Sequence, residues 1–312
     1  MAEAIFRNWT QQHSDDWGHK PVLAHHNLHE NPLFTREALA ALIESYPVDH
    51  YALVHVSHRA DKSRVWREGE RGELSGTEVI DWIAAGKLWL NLRRVAEVDS
   101  RYRDLLNAAF DEMEARIPGF STFDRSMGIL ISSPNASVPY HSDLPGQSLW
   151  QIAGSKRLYL YPTDEPYLPQ AELERIALYG IEVDMGYDPK FDREALIVDL
   201  QPGQMMTWPL NAPHRVENHD CLNISVTTEH WTADIRRQQQ VTMANGVLRN
   251  FLGIRPRSRR ISGPGFAAKA ALQAAFRRTP WLKQQRRARR PIDFRLAPQK
   301  PGEILDIPAY TR

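Results

Sequence analysis

The sequence has one cysteine, almost no net charge and no long apolar run. A lone Cys221 excludes an internal disulfide framework and fits a reducing compartment. No stretch approaches the roughly 20 apolar residues that a bilayer-spanning helix requires. The opening MAEAIFRNWT has neither the basic start nor the apolar run of a secretory signal. These absences predict a cytoplasmic protein without a membrane segment. No internal repeat is evident. What remains is ordinary globular material: 312 residues, 42% hydrophobic and 25% charged, enough for one large domain with attachments or for two domains.

The net charge of +1 conceals a polarity along the chain. From Thr232 onward there are 18 Lys/Arg against 4 Asp/Glu, whereas the preceding 231 residues hold 21 against 34. Such an asymmetry suits a nucleic-acid arm, or a tail that lies against an acidic body or a second subunit.

Periodicity divides the chain into three. TREALAALIESYP (35–47), TEVIDWIAAGKL (77–88) and DSRYRDLLNAAFDEMEARIPG (99–119) carry apolar residues at helical spacing, the first with Thr at its start and Pro at its stop. HYALVHVS (50–57) alternates as a half-buried strand. From Met127 the pattern changes to short runs of Val, Ile, Leu, Tyr and Trp punctuated by Pro, Gly and Asn. The predicted strands are 127–133, 147–153, 156–161, 195–200, 204–208, 214–217 and 222–229, with a longer insertion at about 163–192 that holds one helical piece, AELERIALYG. Many short strands imply a sandwich or barrel. Two further helices, about 233–252 and 266–279, follow the linker-separated pattern around GIRPRSRRISGPG. The expected organisation is N-terminal helices and leading strands packing on the core (1–126), a mainly β core (127–231), and a basic helical C-terminal region (232–312).

Within the β core, PYHSDLPGQSLWQIAGSKRLYLYP (139–162) places His141 and Asp143 two apart, so that on an extended strand both side chains reach one face. A third ligand is available at His214, where LQPGQMMTWPLNAPHRVEN (200–218) turns after a predicted strand. Two imidazoles and one carboxylate on one face of a metal leave three positions open, the arrangement that suits Fe(II). A bidentate 2-oxo acid can take two of them and dioxygen the third. A cation is then needed for the far carboxylate of the co-substrate, and Lys156 is the candidate. If SLWQIA and KRLYLY form a hairpin around Gly154-Ser155, Ala153 faces Lys156, and Gln147 falls on the same side as Lys156. Trp150, Arg157, Tyr159 and Tyr161 fall on the other.

HSD, the fifteen-residue step to GSKRLYLYP and the later PGQMMTWPLNAPHRVEN resemble the cupin-like branch of the JmjC family of Fe(II)- and 2-oxoglutarate-dependent oxygenases. The resemblance covers about residues 127–231. It implies a double-stranded β-helix, or jelly roll, with an iron triad of His141, Asp143 and His214. Lys156 matches the lysine that pairs with the distal carboxylate of 2-oxoglutarate. Gln147 stands where an asparaginyl hydroxylase of the family has an asparagine near the cofactor, and Thr227 or Asn223 is expected to add a polar contact. Val138 departs from the pattern, standing where that hydroxylase has a cofactor-binding threonine. The implied reaction is hydroxylation of a C–H bond on a peptide or protein side chain or a small molecule, with succinate and carbon dioxide as co-products; desaturation or cyclisation starts from the same chemistry.

Other features have plainer readings. His25 and His29 of HHNLH can share a helix face, but beside Pro32 and without a carboxylate or thiolate pattern they read as solvated loop histidines. His55 and His58 do not share a face and read as structural. The Trp and Tyr residues of 149–161 read as core, and Cys221 as a small buried residue. KQQRRARR (283–290) has the composition of a nucleic-acid patch, yet it lacks interleaved aromatics for stacking on bases. FAAKAALQAAFRRT is amphipathic and suits a partner helix. C-terminal helices build a homodimer in the family, so a homodimer is implied; the rival is a non-catalytic ligand sensor or a regulator that binds nucleic acid through the basic end.

Overall fold

A computed structural model describes residues 4–58, 64–180, 185–282 and 290–311. The helices are α1 (Gln11–Asp16), α2 (Arg36–Ser45), α3 (Gly76–Ala85), α4 (Val95–Val98), α5 (Ser100–Arg116), α6 (Gln170–Tyr179), α7 (Ala233–Leu252) and α8 (Pro264–Arg277). The strands are β1 (Phe6–Arg7), β2 (Val22–His26), β3 (Tyr51–His58), β4 (Arg64–Glu70), β5 (Leu88–Leu92), β6 (Phe123–Ser132), β7 (Ser137–His141) and β8 (Gly146–Ala153). They continue as β9 (Lys156–Leu160), β10 (Leu196–Leu200), β11 (Gln204–Thr207), β12 (His214–Asn218), β13 (Asn223–Trp231), β14 (Ile292–Leu296) and β15 (Ile304–Tyr310).

Local chemistry sets the helix starts. Thr35 caps α2 by accepting from the Ala38 amide at 3.2 Å, and Ser75 and Glu78 close a reciprocal capping box on α3. The two helices meet where Gly76 lies against the Ala40 backbone so closely that a β-carbon would overlap the carbonyl.

Two sheets form the core. The larger has the order β1-β2-β11-β8-β13-β6-β5-β3-β4-β14-β15, and the smaller β10-β9-β12-β7. From β6 to β13 the chain passes between them in the sequence large, small, large, small, small, large, small, large. That winding is a double-stranded β-helix, and the expected jelly roll is what the chain forms. α2, α3 and α5 cover the outer face of the large sheet through Leu39, Ile43, Ile80, Ile83, Phe110 and Met113. Trp150 anchors this layer: it is fully buried, donates from Nε1 to Thr228 Oγ1 at 3.0 Å and packs on Phe6 and His26. Between the sheets lies a second cluster of Leu149, Leu158, Leu160, Leu200, Met206, Trp208 and Val216.

Several expectations are corrected here. Residues 147–153 and 156–161 are not a hairpin: β8 pairs with β11 and β13 in the large sheet, whereas β9 pairs with β10 and β12 in the small one. Gly154, at φ +69° and where a β-carbon would lie 2.3 Å from the Leu222 carbonyl oxygen, turns the corner between sheets. The grouping of side chains survives because the inward face of one sheet continues into the inward face of the other. Trp150 points outward to the helices, and Tyr159 and Tyr161 join Tyr140 in an aromatic cluster outside the small sheet. The leading strands do not merely pack on the core but extend its large sheet through β5, β3 and β4.

The C-terminal region is not wholly helical: β14 adds in parallel to β4, and β15 pairs with β14. His25 is not in a loop but in β2, whose last residue, His26, is 1% exposed and bonds through Nε2 to the Gln204 carbonyl at 3.1 Å. His25 pairs in the same strand with Gln204, and His29 lies in a short 3-10 turn. His55 packs its ring 6.2 Å from that of Phe294. Cys221 is only half-buried, accepting from the Ser155 amide at 3.3 Å. Of the basic run 283–290, all but Arg290 lies outside the described residues. Among those residues no helix is long and apolar enough to cross a membrane.

Candidate functional site

β7 and β12 are neighbours in the small sheet, and their register sets His141 opposite His214. Asp143 follows β7 in a loop that is latched from both sides: Ser142 Oγ donates to the Asn211 carbonyl at 2.8 Å, and Asn211 Nδ2 donates to the Asp143 carbonyl at 2.6 Å. The result is a cluster in which one ligand atom from each of His141, Asp143 and His214 lies within 4.8 Å of the other two. His214 Nε2 is 3.3 Å and His141 Nε2 4.0 Å from Asp143 Oδ2. Ligands at right angles about a metal with bonds of roughly 2.1 Å are about 3 Å apart, so the cluster is near the size a transition metal needs.

The donor chemistry agrees with the spacing. A carbonyl can only accept, so His141 Nδ1 donates to Pro139 O at 2.7 Å and His214 Nδ1 donates to Ala212 O at 3.0 Å. Both tautomers are thereby fixed, with the Nε2 lone pairs turned toward Asp143. Burial and the neighbouring His214 push His141 down to about 4, which keeps its imidazole neutral. Burial works to raise the Asp143 carboxyl, but its close approach to His214 and His141 outweighs it and holds it below its ordinary value. Trp208 packs its ring 4.5 Å from that of His214 and closes one side.

A cavity of about 650 Å³ opens from this cluster, within the range that ligand sites occupy. Lys156, Gln147, Thr227 and Val138 all line it. Lys156 is 3% exposed, and among the described residues it makes no hydrogen bond or ion pair. Burial pushes its ammonium down to about 7. A buried cation without an anion is costly, and the cavity beside it is where an anion would fit. Gln147 donates to Glu229 Oε1 at 3.3 Å. Thr227 sits where Gly128, opposite it, leaves room for its hydroxyl. Asn223 does not reach the cavity: its side chain accepts from Gln151 Nε2 at 2.8 Å and donates to the Cys221 carbonyl at 3.0 Å, which makes it part of a buried structural network.

Other lining residues escaped the sequence reading. Glu229 follows Thr227 by two on the inward face of β13, and alternation alone could have located it. Burial, then the charge of Asp143, pushes its carboxyl up. Asn218, opposite Lys156 on β12, donates to Ser132 Oγ and the Ser133 carbonyl, both at 2.8 Å. Trp66, Trp89 and Arg290 form the far end of the cavity. Their segments mix charged residues into short runs, or lie beyond the predicted helices, and carried no strand signal. Two other cavities of similar size, about 680 and 690 Å³, hold no histidine–carboxylate cluster among the described residues.

Set beside known proteins, the chain has relatives at a distance. No family model matches it. It is 32% identical over 113 residues to the HSPB1-associated protein 1 homolog of Danio rerio, a match that covers 33% of this chain and 25% of that protein. The chain therefore spans about a quarter of that curated relative. Its structure is similar to that of E. coli YcfD, at 18% identity and a TM-score of 0.49, covering 91% of this chain and 72% of the other. A second structure of YcfD, described as a ribosomal oxygenase in complex with cobalt and 2-oxoglutarate, matches at the same identity and TM-score over 95% of this chain and 75% of that one.

Proposed function

We propose that the protein is an Fe(II)- and 2-oxoglutarate-dependent oxygenase of the cupin-like JmjC type. One observation carries the reading. A preorganised His141–Asp143–His214 cluster shares a cavity with a buried lysine that has no anion of its own. In the metal-bound protein the two Nε2 atoms and the Asp143 carboxylate would hold the ion, while the backbone carbonyls of Pro139 and Ala212 keep both rings oriented. Lys156 would pair with the distal carboxylate of 2-oxoglutarate, which restores its ammonium to the charged form. Thr227 and Gln147, which line the same cavity, would hydrogen-bond the same molecule, and Leu149, Val216 and Trp208 would keep water from it.

Iron(II), with 2-oxoglutarate and dioxygen, supplies the oxidising power to hydroxylate an unactivated C–H bond, releasing succinate and carbon dioxide. A peptide or protein side chain is the favoured substrate and a small molecule the alternative. The jelly roll at 127–231 carries the chemistry in this reading. The C-terminal helices would pair two copies through the exposed Phe251, Leu252 and Trp281, which are 47%, 62% and 38% accessible.

The test is release of succinate from 2-oxoglutarate by the purified chain. It should require added Fe(II), stop on chelation and vanish in His141→Ala and Asp143→Ala. Stoichiometric iron binding with no succinate in the presence of any substrate pool would instead favour a ligand sensor.

A further inference from the structure

Two carboxylates stand at the metal end of the cavity, and only Asp143 belongs to the cluster. The other, Glu229, lies on the inward face of β13, where its register neighbours are Gln147 on β8 and Ser126 on β6, both also lining the cavity. The charge of Asp143 acts on it from within the same space. Gln147 Nε2 donates to Glu229 Oε1 at 3.3 Å, and among the described residues this is the carboxylate's one hydrogen bond. Oε2 is left for whatever enters the cavity.

No cation of the chain answers this carboxylate among the described residues. Lys156 follows Ala153 across the Gly154-Ser155 corner, and Ala153 pairs with Ile224, five residues along β13 from Glu229. At about 3.3 Å per residue the two backbones are roughly 16 Å apart. The small sheet gives the same order, because His214 pairs with Leu160, four residues along β9 from Lys156. Lys156 therefore marks the deep end of the cavity and Glu229 the metal end. Arg93 follows β5, two strands across the sheet from β13; Arg94 is tied to Glu97; Arg290 stacks on Trp66 of β4.

Charge balance indicates what fits there. A divalent ion and the Lys156 ammonium together offset Asp143 and the two carboxylates of 2-oxoglutarate, which leaves Glu229 as the surplus negative charge. A buried charge without a counter-charge is costly. A neutral ligand leaves the surplus in place, whereas a group with one positive charge and N–H donors removes it through a charge-assisted hydrogen bond.

We propose that Glu229 is a specificity-determining residue that receives a cationic nitrogen of the substrate, an ammonium or a guanidinium, beside the metal cluster. The inference rests on the oxygenase reading for the chemistry that follows, but recognition of the cation is independent of turnover.

The experiment uses the full chain, in excess over Mn(II) and with 2-oxoglutarate present, and reads the paramagnetic broadening of proton NMR lines in small probes, which reports their approach to the metal. At pH 7 n-butylamine and n-butylguanidine should be broadened about tenfold more than n-butanol, the discrimination of one charge-assisted hydrogen bond. Glu229→Gln keeps the shape of the side chain and removes its charge, so it should abolish the preference; a melting temperature no lower than that of the wild type shows that the variant is folded. Should it not fold, the wild-type comparison of amine with alcohol decides by itself. Stronger broadening of N-acetyl-lysine N-methylamide than of n-butylamine supports a peptide as the carrier of the cation, and the reverse supports a small amine. Equal broadening of amine and alcohol by the wild type, or a preference that persists in Glu229→Gln, overturns the proposal. If the wild type selects the amines yet never releases succinate with Fe(II), the oxygenase reading fails and this one stands.

Discussion

Replacing Lys156 by methionine separates what this side chain does for the fold from what it does for the ligand. The two residues have similar length, so the substitution removes the charge while nearly conserving volume. Burial pushes the ammonium from an ordinary 10.5 down to about 7. The folded-state value lies below the unfolded one, so between about pH 7 and 10.5 the unfolded chain holds the extra proton and stability rises with pH. The penalty for burying the cation is fully present below pH 7 and gone above about 10.5. At 1.36 kcal/mol per pH unit, the lysine costs the ligand-free protein about 4 kcal/mol at pH 7, about 2 at pH 9 and under 1 at pH 10.5.

Lys156→Met should therefore stabilise the ligand-free protein, raising the melting temperature at pH 7 by about 8 °C at roughly 2 °C per kcal/mol for a chain of this size. The gain should shrink as pH rises. With Mn(II) present, 2-oxoglutarate should raise the melting temperature of the wild type and leave the variant unmoved, because the variant lacks the cation that receives the distal carboxylate. The assay is differential scanning fluorimetry across pH, with and without 2-oxoglutarate. A ligand-free variant less stable than wild type would refute the buried-cation argument. A variant that still responds to 2-oxoglutarate as wild type does would refute the ligand assignment.

Three further outcomes follow from other positions. Val138 lines the cavity beside the metal cluster, so Val138→Thr places a hydroxyl there; one added hydrogen bond should lower the KM for 2-oxoglutarate about 2- to 10-fold in a succinate-release assay, and an unchanged or higher KM would place the co-substrate elsewhere. Gly154→Ala puts a β-carbon 2.3 Å from the Leu222 carbonyl at φ +69°, and should cost about 1–3 kcal/mol by urea denaturation; an unchanged midpoint would mean the corner is not constrained. Arg249 donates to Glu174, which is fully buried, at 2.6 Å. Arg249→Met should cost about 3–5 kcal/mol, and adding Glu174→Gln should recover much of it, whereas additive losses would contradict the pairing.

Some of this was legible along the chain. The helices at 36–45 and 100–116 lie within the stretches their periodicity marked, and the one at 76–85 starts one residue ahead of its stretch, because each buries one stripe against a single sheet face. Most core strands were visible as short apolar runs between turn residues. β2, β4, β5 and β7 were not: RVWREGE sets four charged residues around one tryptophan, and SVPYH carries a proline, so neither meets a compositional template for a strand. These segments extend because a neighbouring strand offers hydrogen bonds, a condition no local window contains. The terminal pair β14 and β15 is the same case, with β14 completing its ladder on β4 more than 200 residues away.

The sequence by itself determined the chemistry: which side chains can bind a metal, that a lysine stands fifteen residues after the first histidine, and that inward and outward positions alternate along each run. Tertiary structure decided their company. A Gly-Ser turn between two apolar runs permits a hairpin or a corner equally well, and only the strands available on either side selected the corner that sends β8 and β9 into different sheets. That choice placed Lys156 across an enclosed space from Thr227 and Glu229, left Asn223 in a structural network, and carried the cavity out to Trp66, Trp89 and Arg290. Alternation is a property of one strand. Enclosure is a property of two sheets, and it depends on pairings that span most of the chain.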